Sequence, residues 1–257
     1  MIKNFIVVGS GKGGVGKSTV SINLAVTLAS KKHKVGLLDA DIYGPSIPRM
    51  MGISEKPSAD SNKKILPYNK FSVKSMSIGN MVPEEKAIIW RGAMASSAIR
   101  QLLNDVQWGD LDYLIIDLPP GTGDIQLSLC QNIKINGALI VSTPQEISLI
   151  DVRKAIGMFQ KVNVPILGII QNMSYLEING SKNYLFGKNG AQKEAAKQKF
   201  EFLGDIPVNP KICESGDIGK PITTDKDSKI FKIFTGICDQ LISSLSKNKN
   251  SQVKITN

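Results

Sequence analysis

Phe5-Ile6-Val7-Val8-Gly9-Ser10-Gly11-Lys12-Gly13-Gly14-Val15-Gly16-Lys17-Ser18-Thr19 decides the fold of this 257-residue chain. Four apolar residues in a row, closed by glycine, read as a short buried strand. Val20, Leu24, Ala25 and Leu28 then recur at helical spacing. Between strand and helix, Gly11 to Ser18 satisfies the P-loop pattern G-x-x-x-x-G-K-[ST]. Its glycines let the backbone curl so that N–H groups point inward at phosphate oxygens, and the following helix adds its positive end. Lys17 is expected to reach the outer phosphates and Ser18 to offer its hydroxyl to Mg²⁺. Gly11, Lys12, Gly13, Gly14, Val15, Gly16, Lys17, Ser18 and Thr19 form the expected cradle for a nucleoside triphosphate.

Working outward, five more apolar runs read as buried strands: Val35 to Leu38, Tyr113 to Ile116, Gly137 to Ser142, Pro165 to Ile170 and Phe202 to Ile206. Helical spacing appears at Ala95, Ile99, Leu102 and Leu103, and from Asp151, a candidate cap, to Val162. The last helix shows the apolar face Ile230, Phe231, Phe234, Cys238, Leu241, Leu245. Residues 44–80 carry Pro45, Pro48, Pro57 and Pro67 and are expected to hold no long helix, only short strands between Ile65 and Ile78. Apolar strands alternating with amphipathic helices predict an α/β P-loop fold, a mostly parallel central sheet with helices on both faces. The expectation is a single domain over residues 1–245, followed by a polar, disordered tail over 246–257.

Ligands of such sheets gather at the carboxyl ends of the strands. Gly9, Asp39 and Asp117 all fall there. Asp117 closes an apolar strand, the place of a carboxylate that holds Mg²⁺ through water. Asp39 and Asp41 are alternate residues and share a face of an extended chain, so both can look at the phosphate site. An aspartate after a strand is also a common turn or cap residue.

The net charge of +10 admits an anionic partner, but Arg49, Arg91, Arg100 and Arg153 are the only arginines, and the lysines are scattered. Nucleic acid is therefore not an expected partner. No apolar run approaches a membrane span, and the first residues lack a secretory pattern, so a cytoplasmic protein off the membrane is expected. Cys130, Cys213 and Cys238 are too far apart to suggest a disulfide framework or a CxxC pair, and read as reduced thiols. His33, the one histidine, is expected to face solvent.

Lys12 makes the loop a two-lysine one. In this it resembles the class of MinD, ParA and the nitrogenase iron protein, in which that lysine crosses to the nucleotide of a second subunit. The resemblance implies an ATP-sandwich homodimer. Further blocks narrow it: Asp39-Ala40-Asp41-Ile42-Tyr43-Gly44-Pro45-Ser46-Ile47-Pro48, Trp90-Arg91-Gly92-Ala93-Met94, Asp117-Leu118-Pro119-Pro120-Gly121-Thr122-Gly123-Asp124, Thr143-Pro144-Gln145-Glu146, Gln171-Asn172-Met173-Ser174-Tyr175 and Gly216-Asp217-Ile218-Gly219-Lys220-Pro221. In this order they are similar to the Mrp/ApbC family of iron–sulfur cluster carrier ATPases, nearly over the whole chain. That resemblance implies a Mg-ATP hydrolase with slow turnover, acting in iron–sulfur assembly on apo client proteins or assembly factors. Lys12, Lys17 and Asp41 would be catalytic, Asp41 by orienting the attacking water. Ser18, Asp39 and Asp117 would serve Mg²⁺, the carboxylates through water. Asn172 would read the adenine, with Pro207 and Asn209 lining its other side. Pro119, Pro120 and Gly121 would form a stiff switch that senses the γ-phosphate.

The family usually carries a CxxC pair soon after the Asn-Met-Ser-Tyr block, two such pairs holding one [4Fe–4S] cluster per dimer. Here Tyr175 is followed by twelve residues, Leu176 to Gly187, without cysteine or histidine. The ATPase is implied, whereas the cluster has no recognisable ligand pair. A cluster-free ATPase scaffold of the same family therefore stands beside the carrier, as do MinD-like and ParA-like positioning ATPases. The polar tail offers no amphipathic membrane anchor for the MinD-like case.

Overall fold

The computed structural model describes residues 1–81 and 92–255. Its strands are β1 (Phe5–Gly9), β2 (Val35–Asp39), β3 (Tyr68–Lys70), β4 (Val73–Ser77), β5 (Tyr113–Asp117), β6 (Gly137–Ser142), β7 (Ile166–Gln171), β8 (Leu176–Ile178), β9 (Ser181–Asn183) and β10 (Phe202–Asp205). Its helices are α1 (Lys17–Ser30), α2 (Ile47–Met50), α3 (Gly92–Asp105), α4 (Asp124–Asn132), α5 (Glu146–Lys161), α6 (Gly190–Gln198), α7 (Pro210–Asp217) and α8 (Lys229–Ile255).

The fold is the expected α/β one. Eight strands form one sheet in the order β10-β7-β6-β1-β5-β2-β4-β3. Every neighbouring pair is parallel except the edge hairpin of β3 and β4. β1, β2, β5 and β6 are buried almost from end to end, because helices cover both faces. One face packs α1 and α8 through Val20, Leu24, Leu28, Phe234 and Leu241. The other packs α3, α4, α5 and α6 through Ile99, Leu129, Phe159 and Ala195.

β1 is the switch point of this sheet: the chain goes from it to β2 and β5 on one side and to β6, β7 and β10 on the other. A crevice opens at the carboxyl ends of the strands where the order reverses. The register brings the expected acids there, since Val8 and Asp39 both pair with Asp117.

Three local expectations need correction. α5 begins at Glu146, with Gln145 as its cap residue and Asp151 inside the helix. Pro144 ends the preceding strand-like path, and Glu146 places an acid in the first turn, where the helix dipole favours it. The segment from 246 is helical, not disordered, as far as Ile255. A helix already held by its apolar face extends at little cost through residues such as lysine and glutamine. His33 is half-buried and packs edge-on against Tyr113, with ring centroids 5.1 Å apart. The stretch after Tyr175, for which the sequence carried no stated expectation, is a β-hairpin of β8 and β9. Its turn is Asn179-Gly180, both with positive φ (50° and 78°), a two-residue turn matched to strand twist.

Candidate functional site

The P-loop wraps the end of β1. Gly16 has φ 83°, a left-handed conformation that glycine adopts freely. A Cβ at Gly16 would also overlap the Asn172 amide nitrogen, and one at Gly11 would overlap the backbone of Asp151 on α5. Gly13 and Gly14, by contrast, face open space. Two glycines thus serve close packing behind the loop, and two keep its front bare. The loop is pinned from both sides: Ser10 Oγ donates to Lys12 O at 2.9 Å, and Gly121 N to Ser10 O at 3.0 Å.

In front of the loop lies a pocket of about 210 Å³ bordered by Lys12, Lys17, Ser18, Thr19, Asp41 and Ser46. That equals the share of about seven liquid waters. Inside it Lys17 and Asp117 form an ion pair at 2.8 Å, their side chains 6% and 0% exposed. Ser18 Oγ donates to the same carboxylate oxygen, Asp117 Oδ2, at 2.6 Å. Ser21 Oγ donates to the other, Oδ1, at 2.7 Å. Asp41 Oδ2 stands 3.6 Å from Lys17 Nζ. Lys17, Ser18, Asp41 and Asp117 are therefore brought together as the sequence suggests.

Asp39 is at the same strand ends but turned away from the pocket. Its carboxylate accepts from Asp41 N (3.1 Å), Ile47 N (3.2 Å) and Ser77 Oγ (3.0 Å). Complete burial, with the Asp117 charge beside it, pushes the Asp39 carboxyl up to about 7. It ties the residues after β2 to β4. Burial also raises Asp41 above the usual carboxylate range, against the pull of the Lys17 ammonium. Asp41 Oδ1 accepts from Tyr43 N and Gly44 N at 3.2 and 3.4 Å, which fixes its direction.

Lys12 is half-buried on the rim and makes no ion pair among the described residues. Exposed apolar side chains include Tyr43, two residues after Asp41 of the pocket, and Ile147 and Ile150 on the first turns of α5, the helix that meets the loop at Gly11. Gln126 of α4 donates to Pro119 O and Pro120 O at 3.1 and 2.7 Å, holding the two prolines in place. Asn172, at the end of β7, donates to Val15 O at 2.8 Å and so braces the back of the loop. Pro207 is buried just after β10, the neighbour of β7 in the sheet. Asn209 caps α7 through Lys211 N at 2.9 Å. Trp90 and Arg91 lie outside the described residues.

Reasoning from sequence missed Ser21, Ser77 and Gln126. Ser21 had a signal available: it lies three residues after Ser18, one turn along the same helix. Ser77 and Gln126 had none, because their partners are remote in sequence.

The cysteines are dispersed. Cys130 and Cys238 are buried and Cys213 is exposed. Burial pushes the Cys130 thiol up to about 12 and raises that of Cys238 as well. No group of three or more His, Cys, Asp or Glu side chains able to hold a metal ion occurs among the described residues.

Comparison with known proteins agrees with this architecture. The ParA family model, described as NUBPL iron-transfer P-loop NTPase, matches residues 1–242. An iron–sulfur cluster carrier protein of Aquifex aeolicus is 47% identical over 93% of this chain and 67% of its own length. The iron–sulfur cluster transfer protein NUBPL of Mus musculus is 46% identical over 96% of this chain and 79% of its own. Among solved structures, a nucleotide-binding protein of Archaeoglobus fulgidus in complex with ADP superimposes with a TM-score of 0.79 at 41% identity, covering 91% of this chain and 92% of its own. MinD of Pyrococcus horikoshii with Mg-ADP, at 22% identity, shares the fold with a TM-score of 0.71 over 94% of this chain and 96% of its own. By sequence and by fold, this chain belongs to the NUBPL/Mrp family of iron-transfer P-loop NTPases.

Proposed function

We propose that this chain binds and hydrolyses Mg-ATP as a homodimeric switch in iron–sulfur protein assembly. One observation carries the reading: Lys17, Ser18, Asp41 and Asp117 converge on a glycine loop whose front is open. The donor set suits the ligand. The ammonium of Lys17 would meet the outer phosphates, and the backbone N–H groups of residues 13–18 the inner ones. Ser18 and Asp117 would hold Mg²⁺, Asp117 through water, and the metal would neutralise charge on the phosphates. Asp41, held by two backbone N–H groups, would orient a water for attack. Asp39 supports the carboxylate layer from behind. Asn172 and the Pro207–Asn209 stretch would flank the base. The Archaeoglobus relative was solved with ADP, which supports an adenine nucleotide here.

Lys12 on the rim, without an ion pair among the described residues, and the exposed apolar side chains Tyr43, Ile147 and Ile150 support a second copy closing over the nucleotide. A cytoplasmic location is the simplest reading. No helix among the described residues is long and apolar enough to cross a membrane.

A [4Fe–4S] cluster, as cargo, requires four thiolates in reach of one another. The three cysteines do not fit that need: two are buried and only Cys213 reaches the surface. This favours a switch that works on client proteins or assembly factors without a cluster held by its own cysteines. Two measurements on the purified protein test this. Mg-dependent ATP hydrolysis that disappears in Lys17→Ala supports the switch, and its absence in the native chain refutes it. Anaerobic reconstitution with iron and sulfide is expected to leave no iron above background. About four irons per dimer with a charge-transfer band would refute the cluster-free reading.

A further inference from the structure

Ser21 is absent from every P-loop role assigned above, yet its hydroxyl is completely buried and aimed at the metal-side carboxylate. Asp117 has two oxygens and three donors. Lys17 and Ser18 share Oδ2, and Ser21 alone among the described residues serves Oδ1. Ser21 Oγ also lies 3.1 Å from Lys17 O, the back-bond of a helical serine. Its one proton goes to the nearer and charged acceptor, Asp117 Oδ1 at 2.7 Å.

The balance changes when a nucleotide arrives. To reach a phosphate, Lys17 would give up Asp117 Oδ2. Ser18 could keep its proton on Oδ2 and still offer a lone pair to Mg²⁺. The Ser21 bond to Oδ1 would then be the one that stops the carboxylate from rotating about its last bond. We infer that Ser21 is a positioning residue for the Mg²⁺ site, locking Asp117 so that Oδ2 stays beside the Ser18 hydroxyl. This inference rests on the Mg-ATP reading of the site.

The test is the affinity of a fluorescent ADP analogue in excess Mg²⁺ and in excess EDTA, for the native chain and for Ser21→Ala. The ratio of the two affinities reports the metal site; the EDTA value reports the loop and the base pocket. Loss of one hydrogen bond to a buried carboxylate is expected to cut that ratio about tenfold, with the EDTA affinity retained. An unchanged ratio, or an equal loss in both conditions, would overturn the inference. Ser21→Cys, similar in volume but a weak donor, is expected to behave like Ser21→Ala and serves if the alanine variant does not fold. A native chain whose affinity ignores Mg²⁺ would instead refute the Mg-ATP reading, and this inference with it.

Discussion

Gly16→Ala is the substitution whose cost the structure specifies most fully. Two separate terms contribute. At φ 83° an alanine sits in the left-handed region, which disfavours a residue with a Cβ by about 1–2 kcal/mol. The added Cβ also overlaps the Asn172 amide nitrogen, so that side chain must move. Moving it breaks the 2.8 Å bond to Val15 O in a buried place, worth about 1–3 kcal/mol. Together these amount to roughly 2–5 kcal/mol, or roughly 4–10 °C in melting temperature for a chain of this size. Gly13→Ala is the matched control, because a Cβ there meets nothing within 4 Å. It is expected to melt within about 1 °C of the native chain while losing nucleotide affinity, since its methyl intrudes where phosphate would lie. The assay is thermal unfolding of both variants with and without Mg-ADP. A Gly16→Ala protein that melts with the native one and binds nucleotide normally would falsify the packing account. Equal destabilisation by both substitutions would refute the division between the back and the front of the loop.

Other expectations follow from the same geometry. Asp117→Ala leaves the Lys17 ammonium buried with Asp41 at 3.6 Å as its one carboxylate among the described residues and is expected to destabilise the apo protein by about 3–5 kcal/mol, read by denaturant unfolding. Asp41→Asn is expected to keep ATP affinity and lose hydrolysis; undiminished turnover rejects its role. Lys12→Ala is expected to bind ATP as a monomer, so an ATP-dependent dimer in sedimentation would exclude the cross-subunit lysine. Asp39 titrates near 7 when folded and near 3.8 when unfolded, so the folded protein binds the extra proton between those values. Its contribution to stability is full below about pH 4 and is lost as the pH rises through about 7. In EDTA, the fall in melting temperature from pH 6 to pH 8 is therefore expected to be shallower in Asp39→Asn than in the native chain, and equal slopes would count against the shift.

What could be read from sequence was whatever is encoded locally. The strands β1, β2, β5 and β6 are uninterrupted apolar runs, and the P-loop carries its own spacing, so both are visible without tertiary knowledge. The position of Asp117 at a strand end follows from the same runs. Its surroundings do so only in part: the Ser21 bond spans 96 residues and shows locally only as the one-turn spacing of Ser21 from Ser18, whereas the Ser77–Asp39 bond, 38 residues long, has no local pattern to announce it. The orientation of Asp39 away from the pocket is likewise set by Ile47 N and Ser77, not by its spacing from Asp41. The start of α5 was hidden because Thr143-Pro144-Gln145-Glu146 reads first as a family block and only second as a helix entry. The Asn179-Gly180 hairpin was legible in principle, since that dipeptide is the strongest short hairpin signal.

That hairpin has a consequence for protein engineering. Its register sets Ile178 opposite Ser181, with two turn residues between them. Opposed residues of a hairpin project from one face, their Cβ atoms about 4.5–5.5 Å apart. A pair of cysteines at these two positions would read C-x-x-C and present both sulfurs side by side on an exposed ribbon. In backbone terms, the segment is already a clasp; two side-chain replacements separate it from a pair of adjacent thiolates.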